Sequence, residues 1–273
     1  MKKLGIQLLS LIAPNKVLKL AYNNLTSPQI KKLRPHEIEV LEQARKEDYA
    51  FNDFTIKTYA WGKGSKKILL VHGWEGQAGN FSELIPKLLE ADYKVYAFDG
   101  PSHGFSSVGK TSLFEFTTLV GDLIAKWKVN QLISHSFGGV ATTFALSQKP
   151  DLQIEKYVLF TTPDRFEERI ASVCESVGIS NTIKMRLIKQ LEEETGIKVN
   201  EMNVSDFAPK TNVNKALVLH DVNDKVIPIE QSKRVVGNWP VAVMEEVSNT
   251  GHFRILRTER VLGSAMDFLS DAP

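Results

Sequence analysis

Apolar and polar positions change their period once along this chain, near Phe51. Before it, apolar residues recur at helical spacing, and residues 1–50 read as a helical amino-terminal extension. Within it Ser27-Pro28 has the look of an N-cap followed by a first-turn proline, and Pro35 opens a segment with Ile38, Leu41 and Ala44 on one face. Beyond Phe51, short runs rich in Val, Ile, Tyr and Phe occupy 55–61, 67–71, 94–98, 131–135, 157–160, 216–220 and 241–247. Between them lie helical stretches at about 80–91, 111–127, 137–148, 229–236 and 255–270. Strands buried on both faces read as continuous apolar runs, and strand–helix alternation predicts a mostly parallel sheet covered by helices on both sides.

The alternation lapses between Thr162 and Val213. Phe166, Ile170, Val173 and Val177 recur at helical spacing, Gly178 interrupts them, and Ile183, Leu187, Ile188 and Leu191 follow before Gly196. Two amphipathic helices inserted between core strands predict a cap at about 162–212 within a domain spanning 51–273. In open α/β sheets ligands bind at the carboxyl edge of the strands, where such an insertion would start.

Composition narrows the class little: 273 residues, 42% hydrophobic, 24% charged, formal charge +2. That balance gives no whole-chain case for a nucleic-acid partner. Cys174 is the single cysteine, which excludes a disulfide framework and suits a reducing, cytoplasmic setting. The charge is uneven, however. No acidic residue precedes Glu37, whereas Lys2, Lys3, Lys16, Lys19, Lys31, Lys32 and Arg34 do. The apolar stretch between Leu4 and Ala13 is too short to span a bilayer and lacks a small-residue cleavage site. It reads as an amphipathic helix docked on the protein's own body, with a peripheral membrane contact through these basic helices as the alternative.

Candidate chemistry sits at the run ends. Residues 131–135 stop at Ser136, and Phe137-Gly138-Gly139 open a helix at once. A serine lifted from a strand on a tight turn, beside a helix amino terminus, has the geometry of a nucleophile elbow. Ser134 stands where the G-x-S-x-G pattern has its first glycine. A serine needs a base, and the base an orienting carboxylate. Run 216–220 is followed by Asp221 and Asp224, and run 241–247 by Gly251-His252. The turn His72-Gly73-Trp74-Glu75-Gly76 can present the Trp74 N–H, and Phe137 offers a second donor for an oxyanion.

Those motifs, with Phe98-Asp99-Gly100-Pro101-Ser102-His103-Gly104, resemble in order and spacing the α/β-hydrolase superfamily, in its serine esterase and lipase-like branch with a helical cap. The resemblance covers about residues 55–270. It implies Ser136 as nucleophile, His252 as base, Asp224 as acid, and Trp74 and Phe137 as oxyanion donors. Asp221, at a position where relatives often carry glycine, is the other carboxylate on the acid loop. The implied activity is hydrolysis of a small-molecule carboxylic ester through an acyl-enzyme, with no cofactor and no metal. Thioester hydrolysis, acyl transfer and carbon–carbon cleavage use the same triad, and a non-catalytic binding protein could share the fold. His72, His103, His135 and His220 also fall near strand ends, without the paired spacing of a metal site. His72, His103 and Asp99 read as loop braces, His135 as shaping the elbow, Trp61, Trp127 and Trp239 as packing residues, and Cys174 as inert.

Overall fold

A computed structural model describes residues 2–29 and 32–270. The chain begins with α1 (Lys2–Ile12), α2 (Pro14–Thr26) and α3 (Pro35–Glu42), then β1 (Arg45–Phe51), β2 (Phe54–Trp61) and β3 (Lys66–Val71). Next come α4 (Leu84–Glu90), β4 (Tyr93–Phe98), α5 (Leu113–Trp127), β5 (Gln131–His135), α6 (Phe137–Gln148) and β6 (Ile154–Phe160). Then α7 (Phe166–Val177), α8 (Asn181–Thr195) and α9 (Val204–Phe207) precede β7 (Val213–Asp221). The chain closes with α10 (Ile229–Asn238), β8 (Ala242–Val247), α11 (Gly251–Arg254) and α12 (Glu259–Ser270).

The strands form one sheet in the order β1-β2-β4-β3-β5-β6-β7-β8. From β4 to β8 every pairing is parallel, while β2 joins β4 antiparallel and β1 joins β2 as a hairpin. The mostly parallel sheet expected from the alternation of runs is therefore present. Its central strands are apolar because both faces are covered. Ile68 and Leu70 of β3 share a core with Leu84 and Leu88 of α4 and Val261, Leu262 and Ala265 of α12, while period 2 turns Leu69 to the other face. Each such fully buried aliphatic side chain contributes about 1.5–3 kcal/mol, which is why the strand interiors tolerate so few polar residues.

Two expectations are corrected. Arg45–Phe51 is not helical; it is the edge strand β1, exposed along most of its length, so it never shows the alternation that marks a half-buried strand. Nor does Ser27-Pro28 start a helix. Pro14 opens α2 instead, and Ser27 is the extended residue that ends it, its carbonyl accepting from the Gln29 side chain at 2.7 Å. Lys31, counted among the basic residues, lies outside the described residues.

The chain divides into two compact units. One joins the segment up to Gln29 to Arg165–Asn203, the insertion between β6 and β7. Its small core contains Ala21 of α2, Ile170 and Cys174 of α7, Leu187 and Ile188 of α8, and Val199. Tyr22 donates to Glu194 at 2.7 Å, and Arg186 to Asn15 at 2.8 Å. The other unit holds the sheet, α3 to α6 and α9 to α12. Among the described residues no helix is long and apolar enough to cross a membrane.

Candidate active site

At the centre of the sheet, β5 runs out at His135 and α6 starts at Phe137, leaving Ser136 alone to make the turn. Its backbone sits at φ 53°, ψ −121°, a conformation that costs a non-glycine residue about 1–3 kcal/mol. Neighbouring strands hold it there: the Ser136 N–H donates to the carbonyls of Phe160 and Thr161 at 3.0 and 2.9 Å. Thr161 is itself a β-branched residue with positive φ, at the end of β6. The first turn of α6 lies hard against β3. A Cβ on Gly138 would come within 2.5 Å of the carbonyl oxygens of both Val71 and His72, so this position must be glycine. Ser134, in place of the pattern's first glycine, is fully buried, and its hydroxyl shares a 2.7 Å hydrogen bond with the Tyr157 hydroxyl. The larger residue is accommodated by a polar partner beneath the turn.

The side chains of Ser136, His252 and Asp224 meet in a row. His252 Nε2 lies 3.1 Å from Ser136 Oγ, and His252 Nδ1 lies 2.8 Å from Asp224 Oδ2. A carboxylate only accepts, so Nδ1 carries the proton and Nε2 is left to receive one from the serine hydroxyl. The other oxygen of Asp224 accepts the Val226 and Ile227 amides at 2.7 and 3.0 Å. Burial alone would raise the Asp224 carboxyl, but the His252 hydrogen bond and charge, with those amides, outweigh it and hold the group below its ordinary range.

Asp221 does different work. Its Oδ2 accepts the Thr250 amide, the Thr250 hydroxyl at 2.8 Å and the Gly251 amide at 2.7 Å, while Oδ1 accepts the Asn223 amide at 2.7 Å. Burial opposes ionisation here too, yet these donors bring the carboxyl down to about 2. Asp221 thus ties the end of β7 to the loop that carries His252. On the other side, His135 Nε2–H donates to the His252 carbonyl at 2.9 Å. Burial, and next the nearby His252, lower the His135 imidazole to about 3 and keep it neutral. In sequence Asp221 is a second carboxylate on the acid loop and His135 a residue of the elbow. Their grip on His252 has no local signal, because each bond spans more than 25 residues of sequence.

Trp74 follows β3 in the turn closed by Gly76 N–H donating to Gly73 O at 2.9 Å. Its ring stands edge-on to that of Phe137 at 5.3 Å, so the two residues expected to offer amides are neighbours. Phe137 opens α6, where first-turn N–H groups have no partner inside the helix. Gly73 allows the approach, since a Cβ there would stand 3.2 Å from Ser136 Cβ.

The other histidines near the strand ends are braces. His72 Nδ1–H donates to Gly73 O at 2.7 Å, and its Nε2 accepts the Gly100 amide at 2.9 Å. Burial holds it well below the usual histidine range. His103 Nδ1 lies 2.9 Å from Pro101 O, and His220 Nε2 lies 3.0 Å from Ile227 O beside Asp224. Asp99 gathers the Ala78 and Phe105 amides at 2.8 Å each and the Tyr59 hydroxyl at 2.9 Å. Among the described residues no three His, Cys, Asp or Glu side chains are grouped as a metal ion requires.

Known proteins agree with this architecture. A sequence profile of the alpha/beta hydrolase fold matches residues 66–171. A serine hydrolase-like protein of Homo sapiens is 32% identical over 115 residues, 40% of this chain and 56% of that one. A serine hydrolase-like protein of Danio rerio is 32% identical over 114 residues, 39% of this chain and 34% of that one. The chain spans between a third and just over half the length of these relatives. In fold alone it is similar to the enol-lactonase from Burkholderia xenovorans LB400, with a TM-score of 0.63 at 16% identity, covering 82% of this chain and all of that one. The profile match runs from β3 through the elbow into α7, and the likeness to the solved structure spans the rest of the sheet, so the chain has the alpha/beta hydrolase fold.

Proposed function

We propose that the protein is a serine hydrolase that cleaves a carboxylic ester of a small or acyl-chain substrate through an acyl-enzyme. One observation carries the reading: the continuous row Ser136 Oγ, His252 Nε2, His252 Nδ1, Asp224 Oδ2, with links of 3.1 and 2.8 Å. In it His252 takes the Ser136 proton as Oγ attacks the ester carbonyl, and Asp224 holds the imidazolium that forms. The Trp74 and Phe137 amides receive the oxyanion, each donor being worth about 10²–10³ in rate. His252 then gives its proton to the departing alcohol. A water attacks the acyl-serine by the same steps in reverse, and the acid leaves with Ser136 restored. The relatives named serine hydrolase-like support the choice of chemistry. The same reading takes 51–273 as the hydrolase domain with a cap at about 162–212. It places the protein in the cytoplasm, in peripheral contact with a membrane through its basic amino-terminal helices.

A fluorophosphonate probe tests the chemistry. The expected result is stoichiometric labelling of the native protein and none of Ser136→Ala, with hydrolysis of activated esters lost in the same variant. Equal labelling of both proteins would sink the assignment.

A further inference from the structure

Helix α1 is apolar on two sides, and only one of them is covered. Ile6 and Leu9 are half-buried, and the helix packs against α2 and α7 of its own unit. Leu8, Leu11 and Ile12 stand at i, i+3 and i+4 on another face, 54%, 82% and 83% exposed. Leu20 of α2 is also exposed, as are Lys16 and Lys19 in the turns that follow α1. Lone exposed leucines are ordinary on a protein surface; three large apolar side chains on one helical face beside exposed lysines are not.

We propose that this face of α1 docks on an anionic lipid surface. The helix lies in the plane of the interface, with Leu8, Leu11 and Ile12 among the acyl chains and Lys16 and Lys19 against the headgroup phosphates. The charge pattern selects this occupant. Lys16 and Lys19 are exposed beside this face and no acidic residue precedes Glu37 in sequence, so pairing two copies of the face would set these like charges together. An anionic bilayer turns the same charges into attraction. With 11 residues, α1 is about 16 Å long, which suits lying on a bilayer and not crossing it. Apolar insertion and headgroup attraction are each weak alone and act jointly in such anchors. The inference rests on the peripheral contact proposed above and is independent of the ester chemistry.

Co-sedimentation of the full chain with phosphatidylcholine vesicles, with and without phosphatidylglycerol, tests it. Binding is expected only with phosphatidylglycerol and should weaken as salt is raised. The double variant Leu11→Ser, Ile12→Ser should bind at least about 10-fold more weakly. Lys16→Gln and Lys19→Gln should each cost about five-fold. All these side chains are exposed, so thermal unfolding should match the native protein. Equal binding to both vesicle types, or native-like binding by the double variant, would overturn the inference while leaving a peripheral contact standing. No binding to either vesicle would overturn both. A concentration-dependent dimer abolished by the double variant would assign the face to a second copy and likewise overturn it.

Discussion

The serine and the histidine of the candidate site are held in opposite ways. Ser136 ends β5, a strand buried at every position and paired on both sides, and its strained backbone is fixed by packing and by the carbonyls of β6. His252 follows β8, the edge strand, whose residues are mostly half-buried or exposed. What the sheet cannot supply there comes from side chains reaching over from other strands: Asp221 at the end of β7 grips Thr250 and Gly251, and His135 grips the His252 carbonyl. Ser136 is positioned by the fold, and His252 by hydrogen bonds laid on top of it. Substitutions near Ser136 should therefore register first as lost stability, and those around His252 as lost turnover.

The two aspartates give the largest contrast. Asp224→Asn leaves His252 in the wrong tautomer and should lower kcat about 10⁴-fold. Asp221→Asn keeps the tautomer but loosens the loop. It should lower kcat about 10²-fold at nearly constant KM, as expected for a base displaced by about 1 Å. Ester kinetics on both variants measure the order. Native kinetics in Asp221→Asn would break the comparison. Gly138→Ala acts on the other region. Its Cβ would collide with two backbone oxygens that packing cannot move, so about 1–3 kcal/mol of stability should be lost and the melting temperature should fall by about 5 °C.

A further effect is in pH. His135 is neutral when folded, with its pKa near 3, but takes a proton near 6.5 when unfolded. The unfolded chain thus binds more protons between those values, and stability falls as pH drops from about 6.5 towards 3. His72 acts in the same direction. Asp221 has the depressed carboxyl, so its contribution is full above about 4 and fades as pH falls through about 2. Urea midpoints between pH 7.5 and 4.5 should decline in the native protein and decline less in His135→Gln. A flat native profile would separate these histidines from stability altogether.

Much of this site was legible in sequence because parallel strands advertise themselves. A buried run that stops at a small polar residue fixes both the strand end and the residue standing on it, as at Ser136, and the order of Asp224 and His252 followed from later runs of the same kind. The edge strand β1 was not legible, since Arg45-Lys46-Glu47-Asp48 faces solvent and carries no burial pattern. Ser27-Pro28 misled because its local capping chemistry is sound while the helix it would have opened is not there. Register on the acid loop points to Asp224; what Asp221 does instead shows only in distances, both its oxygens being taken by backbone amides while Asp224 Oδ2 meets His252.

The unit built from the segment up to Gln29 and Arg165–Asn203 also dictates an order of events on the ribosome. Its first part leaves the exit tunnel early, whereas its second follows about 135 residues later. At typical rates of synthesis that gap lasts on the order of 10 s. Throughout it α1 and α2 have neither α7 nor α8 to cover them, and Ala21, Tyr22 and Leu25 lack the core they later join. During every round of translation this basic stretch is thus left without its partner helices until Arg165–Asn203 has been made.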